Sequence, residues 1–216
     1  MKKSNKYDSK IVEIKIYKYW LKNNFFLSSC NKKKKSYSII MPPPNVTGIL
    51  HVGHMLNNTI QDILIRKSRM EGRETCWVPG TDHASIATEA KVVEMLKKRG
   101  VEKKNVSRKN FLKYTWEYKN KYEEIIINQL KKIGCSCDWS KIKFTMDKNI
   151  SESVNNVFIK LYKEGYIYRK KKIINWDPKG NTTISDDEII HKKIKSKIYY
   201  IKYKINLTHC KIILNG

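Results

Sequence analysis

The sequence predicts an α/β fold built on a Rossmann-like parallel sheet, and three neighbouring segments carry that prediction. Residues 37–41 are β-branched and aromatic, the composition of a buried strand. Residues 55–70 place apolar side chains at helical spacing, with a helix start near Gly53. After the turn at Glu71, Gly72 and Arg73, residues 75–78 read as a second strand. Strand, helix and strand in so short a span make a βαβ unit. Its right-handed crossover runs the strands parallel and puts ligands at their carboxyl ends.

The other elements follow in order. Residues 11–26 read as an amphipathic helix with Tyr17 and Trp20 among its apolar positions, ending at Asn23 and Asn24. Lys32 to Lys35 is a charge run suited to a solvated loop. Residues 84–98 read as a helix closed by Arg99 and Gly100. Residues 111–133 form a longer one stopped by Gly134, with Trp116, Tyr118 and Tyr122 spaced as core. Residues 150–163 repeat the helical pattern, residues 166–176 alternate as strands do, and residues 198–205 suggest another strand before a tail at 206–216.

Composition bounds the function. A chain of 216 residues can bury a real core. Its 45 Lys+Arg against 20 Asp+Glu give a net charge of +25, which favours an anionic partner such as RNA, although an AT-rich genome would produce the same Lys, Ile and Asn bias. The five cysteines (Cys30, Cys76, Cys135, Cys137, Cys210) lack disulfide-framework spacing and point to a reducing, cytoplasmic setting. Cys135 and Cys137 have no second ligand pair at metal spacing, so they read as ordinary thiols. No stretch is long and apolar enough to span a membrane, and the three apolar residues before Cys30's serines are too few for a signal peptide. A Walker loop and a GxGxxG are both missing.

The chemistry concentrates in residues 42–54. Pro42, Pro43 and Pro44 fix φ and remove three donors, excluding a helix interior or central strand, while Asn45 and Gly48 supply turn chemistry. A helix starting near Gly53 would aim free N–H groups and its positive dipole end at the turn, which suits a phosphate. His51 and His54, three apart, would share one side of its first turn and both donate to phosphate oxygens; Gly53 would let a flat base pack on the backbone. Two such histidines also fit a satisfied surface pair or half a metal site. In the second segment, Gly80 to Thr88, Thr81 or Asp82 would serve as helix N-cap; alternatively Asp82, at a strand end beside the proline turn, would hold a substrate ammonium. Asp186, Asp187 and Glu188 read as a solvated acidic turn.

His51-Val52-Gly53-His54 resembles the HxGH motif of class I aminoacyl-tRNA synthetases, and Pro42-Pro43-Pro44-Asn45-Val46-Thr47-Gly48 before it is similar to the form found in valyl-tRNA synthetases. Gly80-Thr81-Asp82-His83-Ala84-Ser85-Ile86-Ala87-Thr88 resembles that family's GTDHAGIAT, with Ser85 where glycine is usual. Further likeness lies in residues 17–26, in Asp138-Trp139-Ser140, in Phe144-Thr145-Met146-Asp147, in residues 161–169, and in Asn175-Trp176-Asp177-Pro178 with Thr182 to Asp186.

The resemblance implies the N-terminal half of a class I Rossmann-like catalytic domain at residues 37–172, preceded by a helical extension at 1–36 and followed at 173–216 by the start of an inserted, β-rich editing domain. It implies valine–tRNA ligase chemistry: ATP with Mg²⁺ activates valine, which passes to tRNA(Val). His51 and His54 would be catalytic; Pro44, Asn45, Val46, Thr47, Gly48, His51, Gly53 and His54 would bind ATP; and Pro43, Asn45 and Asp82 would bind valine. Some relatives hold zinc near position 178, but Asp177, Pro178, Lys179 and Gly180 offer no thiolate, so no metal ligand is expected. The family's KMSKS loop has no counterpart here. The expectation is therefore an N-terminal portion, truncated or completed by a separate chain and inactive by itself. An isoleucyl- or leucyl-tRNA synthetase is the alternative within the class; a basic, non-catalytic RNA-binding remnant is the alternative outside it.

Overall fold

The protein is described as a computed structural model covering residues 7–203. Two compact units divide between Ile167 and Tyr168.

The first unit is organised around the expected βαβ. Strand β1 (Ser36–Ile40), helix α2 (Val52–Met70) and strand β2 (Glu74–Val78) follow one another, and β1 pairs with β2 in parallel from Ser36 opposite Glu74 to Ile40 opposite Val78. Thr75 and Trp77 point from β2 into the core, and Trp77 Nε1 donates to Gln61 Oε1 of α2 at 3.0 Å. An indole removed from water contributes about 4–6 kcal/mol of transfer free energy, provided its N–H finds such a partner. Met41, Val46, Ile65, Ile126, Leu130 and Phe144 complete the cluster around it.

Two short elements continue the sheet direction. β3 (Gly80–Thr81) pairs in parallel with β4 (Lys143–Phe144). Gly80 is required there, since a Cβ would lie 2.9 Å from the Lys143 carbonyl oxygen. Helices α3 (Ser85–Lys98) and α4 (Arg108–Lys132) pack on each other through Val92, Leu96 and Tyr118, and α5 (Lys148–Lys163) follows β4. Helix α1 (Ser9–Lys22) buries no residue; it stops at Asn23 and a left-handed Asn24 rather than reaching Phe26.

Cys135 and Cys137 are core residues. Between them Ser136 is clamped by Arg69, which donates to its hydroxyl and carbonyl, and by Asp62, which accepts from its N–H and hydroxyl. Burial pushes the Cys137 thiol up, which keeps it protonated and apolar.

Several expectations need correction. β1 is not a buried strand: Ile40 is 80% exposed. The carbonyl of Lys35 and the N–H of Met41 bond to β2, so alternation turns the backbone groups of Ser36, Ser38 and Ile40 to the other edge, where no strand pairs among the described residues. Helix α2 shows the same one-sidedness. It buries Asn58, Gln61, Ile65 and Ser68 against the sheet while Val52, Leu56, Ile60 and Ile63 face solvent. Neither Thr81 nor Asp82 caps α3; the N-cap is Ala84, in the left-handed region. Residues 166–175 form no strand, because their alternating side chains have no neighbouring strand to pair with; only β5 (Trp176–Asp177) is extended, antiparallel to β6 (Thr182–Thr183).

The second unit holds β5, β6 and a short turn at Asp186–Glu188, where Ser185 and Glu188 cap each other. Residues 198–203 are not a strand either, and the remainder of that expected element, with the tail, lies outside the described residues. Among the described residues no helix is long and apolar enough to cross a membrane.

Candidate active site

The proline turn and the segment after β2 are joined through their backbones. Asp82 N–H donates to the Pro44 carbonyl and Val46 N–H donates to the Asp82 carbonyl, each at 2.9 Å, which makes a parallel bridge between Asn45 and Asp82. Two turns at the carboxyl ends of adjacent strands thus form one surface. Pro44 and Val46 are buried beneath it, Pro43 and Asn45 are exposed on it, and Thr47 and Gly48 are half-buried. Helix α4 supports the far side of the turn: Tyr118 Oη donates to the Thr47 carbonyl at 3.0 Å, and Leu50 N–H donates to Gln129 Oε1 at 2.9 Å. Neither supporting residue was singled out for this purpose from the sequence.

The two histidines build the start of α2. His51 is its N-cap and its Nδ1 accepts from Gly53 N–H at 3.1 Å; His54 Nδ1 accepts from His51 N–H at 3.2 Å. This is a capping box in which imidazoles do what Ser and Glu usually do. A ring nitrogen that accepts from an N–H carries no proton, so each neutral ring holds its proton on Nε2. Two imidazole N–H donors and the free amides of the first turn therefore remain for a ligand. The rings lie 4.0 Å apart between centroids, and burial, then the neighbouring His51, lowers the His54 pKa below the ordinary histidine value. The absence of a side chain at Gly53 also makes room for the His51 ring: a Cβ there would come within 3.0 Å of His51 Cε1 and 3.1 Å of its Nδ1.

At the other end of the surface Asp82 keeps a half-exposed carboxylate. Its Oδ1 accepts from Thr145 Oγ1 at 3.0 Å, and that hydroxyl also lies 2.9 Å from His83 N and 2.6 Å from His83 Nδ1. Ser85, where glycine was expected, has φ +37°, next to Ala84 at +47°. A cavity of about 310 Å³ opens beside His83 and Ser85, walled by Phe111, Trp116 and Phe144.

A family model for tRNA synthetases class I (I, L, M and V) matches residues 15–208. The chain belongs to this family. It is 55% identical to a valine–tRNA ligase of Parabacteroides distasonis and 52% identical to that of Christiangramia forsetii, in each case over 95% of this chain and 23% of the relative. The valine–tRNA ligase of Pelagibacter ubique is 53% identical over 94% of this chain. The chain thus spans about a quarter of the length of the curated relatives it matches. Among solved structures, the ternary complex of Agrobacterium radiobacter LeuRS with tRNA and LeuAMS superposes with a TM-score of 0.69 at 19% identity, covering 86% of this chain and 22% of that one. That likeness shows the class I catalytic-domain fold, with α/β content and parallel strands.

Proposed function

We propose that this chain supplies the HxGH half of the active site of a valine–tRNA ligase. The observation that carries the reading is the joined surface, with two Nε2–H donors at one end and the Asp82 carboxylate at the other. ATP and valine meet across it. His51 and His54 donate to the phosphates, with the backbone of Pro44, Asn45, Val46, Thr47, Gly48 and Gly53 shaping the nucleotide side; Pro43, Asn45 and Asp82 receive the amino acid, whose ammonium pairs with Asp82. The valine carboxylate oxygen attacks the α-phosphorus and the bond to pyrophosphate breaks; the terminal hydroxyl of tRNA(Val) then attacks the acyl carbon and AMP leaves. No enzyme nucleophile is needed, so positioning and charge stabilisation carry the catalysis. Residues 42–54 present imidazoles and amides rather than carboxylates, a poor donor set for Mg²⁺. The ion is assigned to the nucleotide's phosphates and none of this chain's residues is assigned to it.

The rest of the site lies in sequence that the longer relatives carry. The edge of β1 left unpaired among the described residues and the apolar outer face of α2 support its addition as a strand beside β1, whether it is continuous with this chain or comes as a separate one. Residues 1–36 are read as a helical extension, 37–172 as half of the catalytic domain, and 173–216 as the opening of the editing insertion, for which the β5–β6 pair is the support. The cytoplasmic setting is inferred from five cysteines without disulfide-framework spacing.

The test is valine-dependent ATP–pyrophosphate exchange. The chain alone should give none. Adding a polypeptide equivalent to the relatives' remaining length should restore it, and His51→Ala with His54→Ala should abolish it again. Strong exchange by the chain alone, or no exchange in the mixture, overturns the reading. The charge of +25 supports a second reading as a basic RNA-binding protein, whose tRNA affinity would fall steeply with salt and ignore ATP.

A further inference from the structure

The hydroxyl of Thr145 is the best-connected atom at the amino-acid end of the site. It has one proton to give and two lone pairs to fill. Three polar groups surround it: the His83 backbone N–H at 2.9 Å, His83 Nδ1 at 2.6 Å and Asp82 Oδ1 at 3.0 Å. The N–H can only donate, and the ionised carboxylate oxygen can only accept. If the hydroxyl gave its proton to His83 Nδ1, its oxygen would face Asp82 Oδ1 with no hydrogen between them. The arrangement is satisfied in one way. His83 N–H and Nδ1–H both donate to Oγ1, and Oγ1–H donates to Asp82 Oδ1.

We propose that Thr145 is a positioning residue that sets both the orientation of Asp82 and the tautomer of His83. The proposal rests on the reading that Asp82 receives the substrate ammonium. Engaging Oδ1 restrains the carboxylate and leaves Oδ2 for the incoming cation. A proton on His83 Nδ1 leaves a lone pair on Nε2, so the imidazole presents an acceptor beside Asp82. This is the opposite polarity from His51 and His54, whose Nε2 atoms carry protons. The acceptor groups thus gather at the ammonium end and the donors at the phosphate end. Thr145 is held for the task by the backbone, because the β3–β4 pairing continues into a bond from its N–H to the Thr81 carbonyl at 3.2 Å. The two left-handed residues after His83 then turn the chain away into α3.

The experiment uses the full chain labelled with ¹⁵N-histidine, with ring-nitrogen correlations recorded at about pH 8, where free imidazole is neutral; the His83 signals are assigned by their loss in His83→Gln. The wild type should show the Nδ1–H form at His83. Thr145→Ser should keep it, and Thr145→Val, which replaces the hydroxyl with a methyl group, should shift His83 toward the Nε2–H form with the fold intact by circular dichroism. An Nε2–H form in the wild type overturns the proposal, as does a Thr145→Val variant with unchanged tautomer. If Thr145→Val fails to fold, the wild-type and serine spectra still decide. In the complemented exchange assay, Thr145→Val should raise KM for valine about tenfold with serine near wild type, since a hydrogen bond to a charged group is being removed. Failure of complementation itself would count against the ligase reading, while the tautomer result would stand.

Discussion

Gly53 illustrates how a single hydrogen atom sets the start of α2. Its missing Cβ makes room for the His51 ring that caps its own N–H. In Gly53→Ala the ring must swing away, costing about 1 kcal/mol of capping, while alanine returns about 1 kcal/mol of helix propensity. The unfolding temperature is therefore expected to stay near wild type, but complemented ATP–pyrophosphate exchange should fall about tenfold because the His51 donor is misaimed. Equal activity in the variant would refute this account. Ser85 gives the converse case. At φ +37° a side chain carries about 1–2 kcal/mol of left-handed strain, and glycine returns about 0.4–1 kcal/mol of that as unfolded-state entropy. Ser85→Gly should raise stability slightly, and Ser85→Val, β-branched, should lower it. A urea-midpoint difference between the two worth about 2 kcal/mol is expected; no difference would mean that the turn relaxes.

At the scale of elements, α1 depends on a few side chains rather than on a buried face. Tyr17 Oη donates to the Cys135 carbonyl at 2.7 Å and accepts from Trp139 Nε1 at 2.9 Å, while Arg66 and Arg69 lie over the rings of Trp20 and Phe26. Tyr17→Phe keeps the ring and orphans both partners, so it should cost about 1–2 kcal/mol. Amide exchange should accelerate in α1 while α2 and α4 stay protected; uniform acceleration would show that α1 is no separate unit. What was legible in the sequence follows the same division between local and distant causes. The βαβ unit, α3, α4 and α5 were readable because periodicity and Gly or Asn stops are local. The cap of α3 was not, since Asp82 spends its side chain on Thr145, 63 residues away. Nor was the support of the turn by Tyr118 and Gln129, which act across 71 and 79 residues. His51 as an N-cap was hidden by its residue type, and the alternation in 166–176 misled because alternation describes a strand only where another strand lies alongside.

For the molecule as a whole, the proposed completion of the site is tested most sharply at the edge of β1, which no strand pairs among the described residues. Parallel sheets are ordinarily covered on both faces, whereas among the described residues the β1–β2 sheet has two strands and an apolar face of α2 is left in water. The Ser38 N–H points to that open edge while Tyr37 and Ile39 bond to β2. Proline at 38 therefore removes a donor that has no acceptor among the described residues, at a site where edge strands tolerate it. Ser38→Pro should lower the stability of the isolated chain by no more than about 1 kcal/mol, against about 3 kcal/mol or more for Ile39→Pro, which breaks the β1–β2 ladder. In the complemented assay Ser38→Pro should nevertheless eliminate exchange, because the added strand loses its ladder bond at the centre of β1. Retained exchange in Ser38→Pro would show that the added polypeptide docks elsewhere, and the exposed stripe of Val52, Leu56, Ile60 and Ile63 on α2 would then be the surface to mutate.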